Sequence, residues 1–421
     1  MICQSLINSN NLDATSRVFI PSQSAHILHN SFTTMDITLA ATSEPVQSKI
    51  VQDLINYIND NGLKRDFDDS VAKALSFNIK EMKILNIIDA TSFFSYADKL
   101  LKWVPQEQFD GKDVYYHLVI FYFIFNQPPF SEQQTPIQPD KIPLSWVSRW
   151  LVEYAKEMGK FLDQPESLTE ETLKTFASTP SYKLDNYIKP RGGWKTFNQF
   201  FARDFKPGYR TIYGLTDPTC IVSPADCTFS GYWPVDSYSN VNLKGIQWNI
   251  MELLQGSRYA HEFHGGVFTH SFLNTFDYHR QHTPVPGRVL EARVIEGQAY
   301  LETVTVCQDE EGGDGHLVAH RSVDAPDNPG YQFVQTRGLI VIDSPIGLVA
   351  VLPIGMAQVS SVIVTAEKGV SLRKGEEISY FQFGGSDIVM VFQEKSKVAL
   401  TAVNGVHYSM GFQVGTAKVQ P

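Results

Sequence analysis

The chain has 421 residues, a formal net charge of -10, 43% hydrophobic and 19% charged residues, and so reads as a globular protein with room for two or three domains. The acidic balance, with no basic stripe, argues against a nucleic-acid binder. Its four cysteines, Cys3, Cys220, Cys227 and Cys307, form no C-x-x-C pair, which points to a reducing compartment and away from a disulfide framework or a structural zinc site.

Residues 1 to about 40 show no clear period and read as a poorly ordered tail. MICQSLINSNNLDATSRVF lacks the basic stretch and apolar run of a secretory signal. From 41 to about 175 the pattern is helical. In SEPVQSKIVQDLINYINDNG, Ser43 can cap and Pro45 suits a first turn. Val51, Leu54, Ile55 and Ile58 then share a face, and Asn61-Gly62 ends the helix. SFFSYADKLLKWVP repeats the pattern and stops at Pro105. YYHLVIFYFIF (115–125) is half the ~20 residues a membrane span needs, so it reads as a buried helix or strand. The proline-rich NQPPFSEQQTPIQPDKIP (126–143) reads as an internal loop. In LSWVSRWLVEYAKEMGKFL, a stripe of Trp146, Trp150, Leu151, Tyr154, Met158 and Phe161 reads as packing.

After about residue 210 the runs become β-branched and aromatic, with Gly, Pro and Asp turns between them. The fold class is therefore α+β, a helical N-terminal region followed by a β-rich domain. Lys368-Gly369 and Lys374-Gly375 bracket a very short strand. QDEEGGDGH (308–316) reads as a solvated, mobile acidic loop.

Three stretches carry candidate chemistry. Gly384-Gly385-Ser386 is either a bend between strands or a self-cleavage site. Glycine permits the backbone that lets the Ser386 hydroxyl attack the Gly385 carbonyl carbon. The peptide C–N bond then gives way to an ester, and β-elimination releases Gly385 as a carboxylate and leaves dehydroalanine. Hydrolysis yields a pyruvoyl group and ammonia. A base must take the hydroxyl proton. FLNTFDYHRQHTPVPG supplies His279 and His282, with Asp277 before them; a polar turn is the plain reading and two proton transfers the functional one. VSPADC supplies Asp226, either a turn-maker or the carboxylate that orients a histidine. No third ligand accompanies the two histidines, and HEFH (261–264) is one residue short of H-E-x-x-H, so no metal is expected.

Together FNQFFARDFKPGYRTI (197–212), SPAD (223–226), FDYHRQHTPVPG (276–287) and GGS (384–386) resemble the pyruvoyl-dependent phosphatidylserine decarboxylase family. The resemblance implies a catalytic domain over 176–421, cut between Gly385 and Ser386 into β and α chains that stay associated. It implies a processing triad of Asp226, His282 and Ser386, with His279 assisting decarboxylation and the pyruvoyl group of Ser386 as cofactor. The chain departs from the family pattern at Phe383 and Asp387 around the cleavage site, at Cys227 after PAD, and at Val359-Ser360-Ser361. F-x-F-G-G-S, FLN and the helical extension resemble a soluble fungal branch that includes an L-tryptophan decarboxylase. The expected substrate is phosphatidylserine or a free L-amino acid, the expected location cytoplasmic and without a transmembrane segment, and homo-oligomerisation stays open. KPRGGWK (189–195) is the best basic patch for an anionic bilayer, though a solvated loop is its plainer reading. The competing readings are a Ser-His-Asp hydrolase that never cuts itself, for which G-x-S-x-G is absent, and an inactive β-sandwich module.

Overall fold

The computed structural model describes residues 46–421 apart from 109–110, 141, 312–316, 325–329, 358–360 and 384–385. The predicted N-terminal tail and the Gly384-Gly385 pair lie outside the described residues. The helices are α1 (Lys49–Asp60), α2 (Lys64–Ser76), α3 (Lys80–Ile84), α4 (Ala90–Leu100), α5 (Asp113–Phe125), α6 (Trp146–Leu162), α7 (Glu170–Ser178), α8 (Phe197–Phe201) and α9 (Ile250–Leu253). α1 begins after Ser48, with Val51, Leu54 and Ile58 buried, and ends where Gly62 turns at φ 68°. α4 opens with a capping box between Asp89 and Ser92. α5 is the apolar run of 115–125, and residues Leu118 through Phe125 are all buried. A helix apolar all round must be enclosed; Phe121 packs on Phe93, Trp150 and Tyr154 from α4 and α6.

The strands are β1 (Cys220–Val222), β2 (Cys227–Pro234), β3 (Asn240–Leu243), β4 (Ile246–Asn249), β5 (Val267–Leu273), β6 (Arg280–His282), β7 (Gly287–Ile295), β8 (Val304–Glu311), β9 (Leu317–Asp324), β10 (Arg337–Ser344), β11 (Gly347–Gly355), β12 (Val362–Val364), β13 (Ser371–Leu372), β14 (Glu377–Phe381), β15 (Ser386–Phe392), β16 (Ala399–Leu400), β17 (His407–Tyr408) and β18 (Gln413–Thr416). The main sheet has eight strands in the order β13-β7-β10-β11-β15-β5-β2-β17. The short strand between the Lys-Gly pairs is β13. Of the acidic loop expected over 308–316, residues 308–311 belong to β8 and 312–316 lie outside the described residues. β8 pairs with β9 as far as Glu311↔Leu317, because antiparallel pairing carries the strand into the acidic residues.

Strand alternation divides the sheet between two cores. Ile340, Ile342, Val349, Val351, Ile388, Met390 and Phe392 belong to one that continues without a break into the helices. Leu339, Val341, Ala350, Leu352, Val389 and Val391 belong to the other, closed by Trp248, Leu253, Phe263 and Phe333. The Asn126 side chain donates to the Leu301 carbonyl at 2.7 Å and tethers the end of α5 to the β region. Phe121→Ala is expected to lose about 3–5 kcal/mol of unfolding free energy. Because the first core is shared, circular dichroism and tryptophan fluorescence in urea should report one common transition.

Candidate active site

Asp226 sits where the chain leaves β1 through the Pro224-Ala225 corner and enters β2. Its carboxylate is buried and accepts a 2.9 Å bond from Arg210 Nε, a second bond from the same guanidinium, and the Met410 N–H at 2.8 Å. Arg210 in turn lies 3.7 Å above the Phe205 ring. Charge-assisted, two-pronged contacts are strong and geometrically exacting. They occupy the oxygens that the resemblance assigned to His282. Asp226 and His282 meet instead through the backbone: the His282 N–H donates to the Pro224 carbonyl at 2.8 Å.

His279 and His282 lie on and before β6. The His282 Nδ1 is 2.8 Å from the Gly375 carbonyl, an acceptor, so Nδ1 carries the proton. Nε2 is then the basic nitrogen, and the Tyr278 hydroxyl donates to it at 3.0 Å. Burial lowers the His282 pKa, while Gly375, Glu377 and Asp226 act in the opposite direction. Gly375 must be glycine: its φ is +83° and an added Cβ would lie 2.6 Å from Ile212. His279 is fully buried and stacks on Phe201 at 3.8 Å between centroids. Neither of its ring nitrogens has a hydrogen-bond partner among the described residues. Burial, then the Arg203 charge, pushes its pKa well below the usual imidazole value, so it is neutral at pH 7.

The turn before these histidines is held from three sides. Arg203, itself buried, donates to the Phe276 carbonyl at 2.7 Å and lies 4.4 Å over Tyr187. Asp277 accepts the Asn274 N–H at 2.8 Å and faces His407 Nε2 at 3.0 Å.

Ser386 is the first residue of β15, and its backbone is aligned with Leu273 of β5 and Gly355 of β11. α8 fixes the approach to it. The Phe383 N–H donates to Asn198 Oδ1 at 3.0 Å, and the Phe383 ring meets Phe197 and Phe201 at 5.2 and 5.6 Å. The Asn198 amide is oriented by Asp163 at 2.9 Å, and Trp103 reaches Phe383 at 6.1 Å, so the helical region touches the same segment. Phe201 thus contacts both His279 and Phe383, and the Phe381 N–H bonds the His279 carbonyl at 2.9 Å. A cavity of about 240 Å³ lies between α5 and the end of β5, lined by Tyr115, Leu118, Phe272, Phe276, Leu301 and Met356 among others. Phe272 is the ladder partner of Asp387, and Met356 follows Gly355, so the cavity adjoins the start of β15. HEFH is a surface turn with His261 and His264 exposed.

The sequence profile described as phosphatidylserine decarboxylase matches residues 197–416, more than half of the chain. The chain belongs to the phosphatidylserine decarboxylase family. It is 31% identical over 258 residues to phosphatidylserine decarboxylase proenzyme 3 of Schizosaccharomyces pombe, covering 61% of this chain and 25% of that one. It is 28% identical over 242 residues to the phosphatidylserine decarboxylase proenzyme of Fusobacterium nucleatum, covering 58% of this chain and 73% of the relative. The Bacillus thuringiensis proenzyme is 25% identical over 249 residues, covering 59% and 87%. This chain thus spans about a quarter of the fission-yeast relative's length. Among the described residues no helix is long and apolar enough to cross a membrane.

Within this decarboxylase-family frame, the structure gives work to residues that sequence reasoning left unassigned. Arg203, Arg210 and Asn198 lie in the first motif, and their polarity amid phenylalanines was the only signal. Tyr278 adjoins His279 in the histidine motif. His407 has no local signature at all. Two measurements test these contacts. Arg210→Met leaves a buried carboxylate with one donor, and is expected to cost about 3 kcal/mol in urea unfolding. The His407 pKa is raised, chiefly by its hydrogen bond to Asp277. A raised folded value stabilises fully below the unfolded-state value of about 6.5, and that contribution fades as pH rises through the folded value. The gap in melting temperature between wild type and His407→Gln should therefore be widest in mild acid and close in mild alkali.

Proposed function

We propose that this chain is a self-processing, pyruvoyl-dependent carboxy-lyase that cuts its own Gly385–Ser386 bond and then removes the α-carboxylate of an amino-acid group as CO2. The family makes phosphatidylserine the first substrate reading. The observation that carries the proposal is His279: neutral, buried, without a hydrogen-bond partner at either nitrogen among the described residues, and joined through Phe201 to the segment that leads into Gly385 and Ser386. An imidazole kept this way has a proton site to offer a reacting group.

A pyruvoyl group at residue 386 supplies a ketone that takes up the substrate amine and an adjacent carbonyl that draws off the electron pair left by CO2. The residues fit such a group. β5 and β11 hold the backbone of residue 386 from both sides. Phe201 shields one face of His279 from water, and His279 can relay a proton to the substrate's α-carbon, gaining one at one ring nitrogen as it gives up the one on the other. In processing, His282 Nε2 has the lone pair for the Ser386 proton, which Tyr278 must yield or relay. The cation formed there is favoured by the Asp226 and Glu377 charges. Arg210 holds the Asp226 carboxylate in place. After cleavage the α chain, Ser386–Pro421, stays bound because β15, β16, β17 and β18 pair within sheets whose other strands are β-chain. On this reading 176–421 is the catalytic domain and 41–175 a helical domain that contributes Trp103, Asp163 and the α5 wall of the cavity.

The cavity favours a second substrate reading. Its volume of about 240 Å³ is that of roughly eight waters, and α5 forms one wall of it. Such a space suits a free L-amino acid, L-tryptophan included, better than a lipid whose chains must leave the pocket.

Intact mass of fresh and incubated protein tests the cleavage. Two fragments are expected, with a carbonyl that reacts with hydroxylamine on the smaller; an active preparation with one full-length mass overturns the proposal in favour of a hydrolase. Ser386→Ala, His282→Ala and Asp226→Ala should remain precursor. His279→Ala should cleave but turn over about 10²–10⁴-fold more slowly. Release of CO2 from phosphatidylserine vesicles, tryptophan, phenylalanine, tyrosine and serine separates the two substrate readings.

A further inference from the structure

Directly after Ser386 stands a buried polar cluster that no step above uses. Asp387 and His270 are both fully buried, and His270 Nε2 lies 3.0 Å from Asp387 Oδ2. Gln332 Nε2 lies 2.9 Å from the same oxygen. The Gly330 N–H donates to Gln332 Oε1 at 2.6 Å, so the amide is oriented with its NH2 toward the carboxylate. Gln332 Nε2 also lies 2.9 Å from His270 Nε2, so Oδ2 accepts from Gln332 and the three groups, from β5, β15 and the turn before β10, close a triangle. Oδ1 has no hydrogen-bond partner among the described residues.

The setting makes this cluster costly. Asp387 occupies the face of β15 shared with Val389 and Val391, and its ladder partners are Ile354 and Phe272. Aspartate is disfavoured in strands, and a buried ion pair is seldom more stable than apolar residues of the same size. Packing alone gives no reason for it in the middle of an eight-stranded sheet. Its position does: residue 387 directly follows the residue to be modified in β15. The pairing of β15 with β5 and β11 runs from residue 386 onward, so whatever fixes residue 387 also fixes one side of the scissile bond.

We propose that His270, Gln332 and Asp387 form a clamp on the far face of the sheet that aligns the Gly385–Ser386 peptide for cleavage. These are positioning residues: they act through the backbone of residue 387 and not on the reacting atoms. The inference rests on the self-processing reading above. Misplacing reacting atoms by an ångström is enough to slow such a reaction steeply.

The test follows full-length precursor by intact mass during incubation, with thermal melting as the control for folding. Asp387→Ala should slow cleavage by about tenfold or more, whereas Asp387→Asn, which keeps a carbonyl to accept from Gln332, should stay within about threefold of wild type. The paired apolar variant His270→Leu/Asp387→Leu covers the case in which Asp387→Ala fails to fold. It leaves the buried Gln332 amide unpaired, so it should melt somewhat below wild type but stay folded, and still cleave about tenfold more slowly. A folded paired variant, or a folded Asp387→Ala, that cleaves at the wild-type rate overturns the clamp alone. Wild-type protein that never cleaves overturns the self-processing reading instead.

Discussion

Pairing of β15 with β5 on one side and β11 on the other is the constraint on which the rest depends. It fixes the backbone of residue 386 in the centre of a large sheet, where neither edge fraying nor register slip is cheap. A shift of one residue would exchange Ile388, Met390 and Phe392 with Val389 and Val391 between the two cores. The apolar alternation thus locks the position of residue 386, the residue that the proposed function makes reactive. The same pairing would hold the two halves of a cut chain together, since the break falls at the mouth of the strand and not within it.

Around this fixed point, polar groups are placed by contacts that are themselves buried. Arg203 and Arg210, seven residues apart in one motif, hold the histidine turn and the Asp226 corner respectively. Gly375 supplies a carbonyl that selects the His282 tautomer, and Ile212 forbids a side chain there. His279 is the contrasting case. It is fully buried with no hydrogen-bond partner among the described residues, and its neutrality follows from burial and a neighbouring cation. One turn of chain therefore presents two imidazoles in different states, one anchored and one free to take a proton. The environment sets the division of labour, since the residue type is the same.

The helical region is not a mere appendage to this arrangement. Trp103 and Asp163 reach the segment around Phe383 directly or through Asn198, and α5 walls the cavity beside β15. Its apolar core is continuous with one face of the sheet. Changes in the helices can therefore alter the shape of the cavity beside β15 without touching His279, His282 or Asp226.

Periodicity alone was enough to assign α1, α4 and α6, and the sheet-forming runs after residue 210, because amphipathic spacing is a local property. The short spacing of the FDYHRQH stretch and the SPAD corner likewise marked Asp226, His279 and His282 as candidates, and GGS marked Ser386. What the linear pattern could not settle was which acceptor each donor meets. Asp226 went to Arg210, His282 to Gly375 and Tyr278, and Asp387 to His270 and Gln332, all across strands distant in sequence. Residue types that can carry this chemistry are written in the chain. Their partners, their burial and hence their protonation were decided only when the sheet brought remote segments within three ångströms, where desolvation and geometry outweigh anything a residue's neighbours in sequence can impose.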